Sequence, residues 1–200
     1  MGRTIKRYVD IANANNTDSS SEVASGGDKS RLILLHGNVT ESSIQQVIVQ
    51  LLQYADQSPK PINLVISTYG GEIYEMFSLY DVMKFLPCPV HTLALGKVMS
   101  AGVLLLAAGT KGKRFVGRSS KIMIHAMSGW LGGSVMDIVT TADEMAKEQE
   151  QLVQALLTET SMKESELRQM MKAGDNYVSP AQAVTYGIVD RIIGDRKLGE

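Results

Sequence analysis

The chain has 200 residues, 44% hydrophobic and 20% charged, which suits one globular domain with a real core. A formal net charge of −1 and the lack of any long Lys or Arg run argue against a nucleic-acid or anionic-membrane partner. The single cysteine, Cys88 between Pro87 and Pro89, excludes an intrachain disulfide and points to a reducing compartment, so a cytoplasmic location is expected.

Residues 1–30 open polar, without the apolar stretch of a secretory signal, and residues 10–30 are too polar and small to offset the entropy of ordering. A flexible N-terminal arm over 1–30 is expected, followed by a single domain over 31–200. Leu32-Ile33-Leu34-Leu35, ended by Gly37-Asn38, predicts a buried strand. Ile44, Val47, Ile48, Leu51, Leu52 and Ala55 then step by three and four, which predicts a helix stopping before Pro59 and Pro61.

Ile62 to Ser67 is the next expected buried strand, and it runs into Gly70-Gly71. Ile73, Met76, Phe77, Tyr80 and Met83 mark a second amphipathic helix ending near Pro87. A third strand is expected from Val90 to Leu95, with a turn at Gly96 and a short apolar helix from Ser100 to Ala108 closed by Gly109. The longest apolar run, Val103 to Ala108, is far short of the roughly 20 residues needed to cross a bilayer, so no membrane span is expected.

Ile122-Met123-Ile124 predicts a further strand leading directly to His125. From Val135 a helical stripe persists for more than 20 residues, through Leu156 and Leu157, longer than so small a domain can cover; a partner subunit is expected to cover the rest. Ser179-Pro180 starts a last short helix before a strand from Ile188 to Ile193. Alternating strands and helices imply an α/β fold with parallel pairing and right-handed crossovers.

Ser100 follows a strand and opens a helix, where its hydroxyl and the Ala101 amide favour developing negative charge. Taken alone, a serine at such a strand–helix turn is more often merely an N-cap. His125 ends a separate strand, and neighbouring parallel strands end on one side of a sheet, so the two side chains can meet at the C-terminal edge. Asp175, in Ala173-Gly174-Asp175-Asn176, is a carboxylate able to return to that edge and hold the imidazole, although alone it reads as a turn residue. Gly71 in the Gly70-Gly71 turn offers a second backbone amide for an oxyanion. His36 and His91 lack comparable context.

These residues resemble the ClpP family, the proteolytic subunits of the Clp protease, over nearly everything from Arg31 to Ile193. The stretch from Gly96 to Arg114 resembles the family's nucleophile segment, with its serine at Ser100. Lys121 to His125 resembles the histidine strand, and Asp175 to Asp190 the aspartate segment. The order Ser, His, Asp separates this pattern from α/β-hydrolases, chymotrypsin and subtilisin.

The resemblance implies a crotonase-like fold of repeated β-β-α units with a protruding handle helix over about 135–160. It implies a serine endopeptidase with Ser100, His125 and Asp175 as triad and Gly71 and Ala101 as oxyanion hole. Ile73, Ser128 and Gly129 would contact substrate. Two stacked heptameric rings are implied, fed with unfolded polypeptide by an AAA+ unfoldase such as ClpX or ClpA/ClpC. ATP would be used by that partner, and no cofactor or metal is expected in this chain.

Differences from the family pattern are local. Ser67-Thr68-Tyr69 stands where Asn-Ser-Pro usually precedes the two glycines, and Ala101 replaces a common methionine, which implies an altered S1 wall. Trp130 replaces the second of two glycines, and Ala173-Gly174 stands at a charged pair that bridges rings in many members. Asn63 and Val65 replace aromatics of the unfoldase-docking cleft, while Phe85, Leu93, Leu95 and Phe115 keep it apolar. Two other readings remain open here: a non-catalytic or weakly active ring subunit modulating a partner ClpP, and a crotonase-type acyl-CoA enzyme.

Overall fold

A computed structural model describes residues 31–194; the expected arm over 1–30 and residues 195–200 lie outside the described residues. Strand β1 (Leu32–His36) leads through a Thr40–Ser43 capping box into α1 (Glu41–Gln57), followed by β2 (Ile62–Thr68), α2 (Ile73–Phe85) and β3 (Val90–Met99). Next come α3 (Ala101–Ala107), β4 (Arg114–Gly117), β5 (Lys121–Ile124) and the long α4 (Val135–Glu159). The chain closes with α5 (Glu164–Lys172), β6 (Asn176–Val178), α6 (Pro180–Thr185) and β7 (Arg191–Ile193).

One seven-stranded sheet runs β1-β2-β3-β4-β7, with β5 joined to β3 and β6 joined to β5. Every pairing is parallel except β5 with β6. Helix α3 is buried along its whole length, and α1, α2 and the end of α4 pack around it and the sheet through Ile44, Leu51, Met76, Leu79, Val153 and Leu156. This is the expected α/β architecture. Among the described residues no helix is long and apolar enough to cross a membrane.

Several local expectations are corrected. β1 is an edge strand with alternating burial, Leu34 being 39% exposed, rather than a strand buried on both faces. Gly96 is not a turn: β3 runs on to Met99, with Gly96 at φ 71° in a bulge where Ile66 and Thr68 of β2 pair with Ala94 and Val98 of β3. The bulge bends β3 between two partners. Thr92 to Ala94 pair with β4, and Lys97 to Met99 pair with β5.

The last strand is shorter than expected, because Ile188 and Val189 are buried in the turn that leaves α6 and only Arg191–Ile193 pair with β4. Helix α4 forms as expected, with 25 residues. Its buried residues are Leu152, Val153, Leu156 and Glu159, all near its C-terminal end, so its first half projects from the body.

Candidate active site

The β3 bulge decides where Ser100 sits. Beyond it, Val98 and Met99 pair with Ile122 and Met123 of β5, and the Ser100 amide donates to the Met123 carbonyl at 2.9 Å. The strand running into Ser100 and the strand leading to His125 are thus one ladder. β5 in turn pairs antiparallel with β6, Ile124 opposite Asn176, and one further step places His125 opposite Asp175. β6 is what returns the aspartate to this edge.

Side-chain distances follow from that register. His125 Nε2 lies 2.8 Å from Ser100 Oγ, and His125 Nδ1 lies 3.4 Å from Asp175 Oδ1. The first is a good hydrogen-bond distance; the second is longer than the 2.7–2.9 Å of a tight charge-assisted bond, and the Asp175 side chain is 57% exposed.

Among the described residues, Ser100 is the one non-glycine at positive φ, 53° with ψ −125°. Such a conformation costs about 1–3 kcal/mol and persists only where the surroundings enforce it. Here its amide bond to β5 and the packing of Gly70 against it do so: a Cβ on Gly70 would lie 2.6 Å from Ser100 Cβ.

The Tyr69–Glu72 segment is clamped to Val39, whose amide donates to the Gly70 carbonyl at 2.8 Å and whose carbonyl accepts from the Glu72 amide at 2.9 Å. Gly71 approaches Val39 so closely that no Cβ fits, which explains the second glycine. Ala101 opens α3, where an amide has no acceptor within the helix.

Ser100, Ala101, His125, Gly70 and Gly71 line one cleft of about 630 Å³. Ile73, Met76 and Leu152 give it an apolar wall, while Asn38, Thr40 and Glu72 add polar groups. Tyr69 also lines it, with the Lys97 ammonium 4.5 Å from its ring centre. Of the three expected substrate contacts, Ile73 and Ser128 line the cleft; Gly129 does not, and packs beside Met145. Leu152, from the handle helix, was not foreseen as a site residue. Its signal was its place in the apolar stripe, which does not say which cavity it faces.

Among the described residues no group of three His, Cys, Asp or Glu side chains could hold a metal ion. The family model for Clp protease matches residues 15–196. A curated relative from Bdellovibrio bacteriovorus, named ATP-dependent Clp protease proteolytic subunit, is 38% identical over 173 residues, covering 84% of this chain and 81% of its own length. With a match of that extent carried by an α/β sheet of the kind expected, the chain belongs to the Clp protease family and is a peptidase.

Proposed function

We propose that the chain is a serine endopeptidase that cleaves unfolded polypeptides and short peptides by acyl transfer. The observation that carries this is the imidazole of His125, placed between the Ser100 hydroxyl and the Asp175 carboxylate. With a substrate carbonyl above Ser100, His125 Nε2 takes the hydroxyl proton as Oγ bonds to the carbonyl carbon. The Gly71 and Ala101 amides are the donors for the resulting oxyanion, fixed before reaction by the Val39 clamp and by the helix start.

The imidazolium then protonates the leaving amine, the C–N bond breaks, and an acyl-Ser100 ester remains. Water, deprotonated by the same nitrogen, attacks the ester carbon; the C–Oγ bond breaks, the imidazolium returns its proton to Ser100 Oγ, and the acid is released. Asp175 keeps the Nδ1 proton directed and stabilises the imidazolium. Apolar side chains of substrate pack on Ile73, Met76 and Leu152.

Oligomeric rings, two stacked heptamers, and an AAA+ unfoldase using ATP complete the reading; it draws support from family membership and from the projecting apolar half of α4. Replacing Ser100 by Ala is expected to lower peptide cleavage by about 10⁴-fold or more and to abolish labelling by a fluorophosphonate. Undiminished labelling of that variant would remove Ser100 from the reaction.

A further inference from the structure

The segment from His125 to Ser134 carries no helix or strand, so the ladder that aligns His125 ends where its side chain begins to act. Two residues on, the Met127 amide donates to Oε1 of Gln149, a half-buried residue of α4, at 2.7 Å. The same side chain uses its other end: Gln149 Nε2 donates to Met171 Sδ on α5 at 2.9 Å. Met171 is buried, and the turn after it is closed by Asn176, whose Nδ2 donates to the carbonyls of Met170 and Gly174 at 2.6 Å each. Asp175 lies between those anchors.

We propose that Gln149 is a positioning residue for the peptidase reaction, its side-chain oxygen holding the His125 segment to the base of the long helix while its amide nitrogen rests on Met171 of α5. The inference rests on the triad reading above and adds to it a third element, the base of the handle helix. Only a group with both an acceptor and a donor can make the two contacts, and the amide orientation is set by the Met127 N–H, which requires an oxygen. The neighbouring residues have other tasks: Glu148 accepts from the Tyr74 hydroxyl, and Glu150 holds Arg168 through two bonds of 2.8 and 2.7 Å. Gln149 therefore has no equivalent on either side. Without it the Met127 amide loses its side-chain acceptor, and the loop is free to carry His125 Nε2 away from the 2.8 Å contact on which proton transfer depends.

The test compares the assembled full-length protein with its Gln149→Leu and Gln149→Glu variants, using a short fluorogenic peptide and, in parallel, the Ser100→Ala variant. Leucine fills similar space without an acceptor; glutamate keeps an oxygen for Met127 and gives up only the bond to Met171. The expected result is a kcat lowered roughly tenfold or more in Gln149→Leu and restored to within about twofold in Gln149→Glu, with unchanged assembly mass and thermal midpoint. Equal losses in both variants, or a loss that comes with altered assembly or melting, would assign Gln149 to packing and overturn the inference. Full activity of Gln149→Leu beside an inactive Ser100→Ala would sink the Gln149 inference alone, whereas full activity of Ser100→Ala would sink the triad reading and this inference with it.

Discussion

Ser100 holds its positive φ because Gly70 stands against it, and this makes Gly70 a test of how much the site depends on the strained turn. In Gly70→Ala the new methyl would meet Ser100 Cβ at 2.6 Å, at a backbone φ of +101° that a side chain rarely adopts. Either Ser100 shifts or the Val39 clamp opens, and both displace the atoms that the proposed reaction uses. A fall of about a hundredfold in the fluorophosphonate labelling rate is expected, since a displacement near 1 Å costs that much. Labelling at the wild-type rate would show that Ser100 does not need this support. The approach of Ser100, His125 and Asp175 to one another was legible because motif order names residue types that only make sense together: each has an ordinary structural explanation when taken singly. What the residues did not reveal was Gly129 turning toward Met145, or Leu152 entering the cleft, because both depend on how α4 lies against α3.

Elements meet at two buried ionic groups near the C-terminal end of α4. Arg114 on β4 is 4% exposed; its guanidinium forks onto Asp190 at 3.0 and 2.7 Å and reaches the carbonyls of Ala107 and Glu159 at 3.1 and 2.8 Å. It joins the ends of α3 and α4 to the turn before β7. Lysine cannot reproduce that fork, so Arg114→Lys should lower stability by about 2–3 kcal/mol, less than losing a buried partner outright, seen as a lower thermal midpoint. An unchanged midpoint would mean the fork adds little. Glu159, 1% exposed, meets Lys84 at 2.7 Å and the Tyr80 hydroxyl at 2.9 Å, and also pairs with Lys111. Burial raises its carboxyl, but Lys84, Tyr80 and Lys111 outweigh that and hold it below its ordinary 4.5; burial and this carboxylate together push the Tyr80 hydroxyl up to about 12. A carboxyl depressed in the folded state stabilises above its unfolded value and loses that contribution as pH falls through the folded one. The stability gap between wild type and Glu159→Gln, measured by urea unfolding, should therefore be largest near pH 7 and close below pH 4.5; a gap that stays constant would refute the assignment. Long periodic helices were readable from sequence, whereas β4 and β6, four and three residues long, were not: too short to show a period, they exist because β3 and β5 offer them an edge.

For the molecule as a whole, α4 sets the scale. Its 25 residues span about 37 Å, more than twice the radius of gyration of about 16 Å expected for 200 residues. Its projecting half carries Val135 at 76%, Met136 at 71% and Val139 at 49% exposure, with Trp130 at 89% just before it. Scattered apolar residues on a surface need no explanation, but a run of them on one projecting helix is the kind of surface that a second copy covers, as the family's ring assembly requires. The sequence carried this in outline, since its apolar stripe outlasts what the body can bury; which residues stay uncovered depended on where α4 docks. Placing charge there, with Met136→Glu and Val139→Glu together, should leave the fold intact by circular dichroism, because neither side chain supports the core. The assembly should break into smaller species by native mass spectrometry. Trp130 is the chain's one tryptophan, so its fluorescence reports the same event independently: emission at shorter wavelength in the assembled wild type, and at longer wavelength in the double variant. An assembly of wild-type mass with unshifted emission would show that this half of α4 faces solvent in the working enzyme and that some other surface joins the subunits.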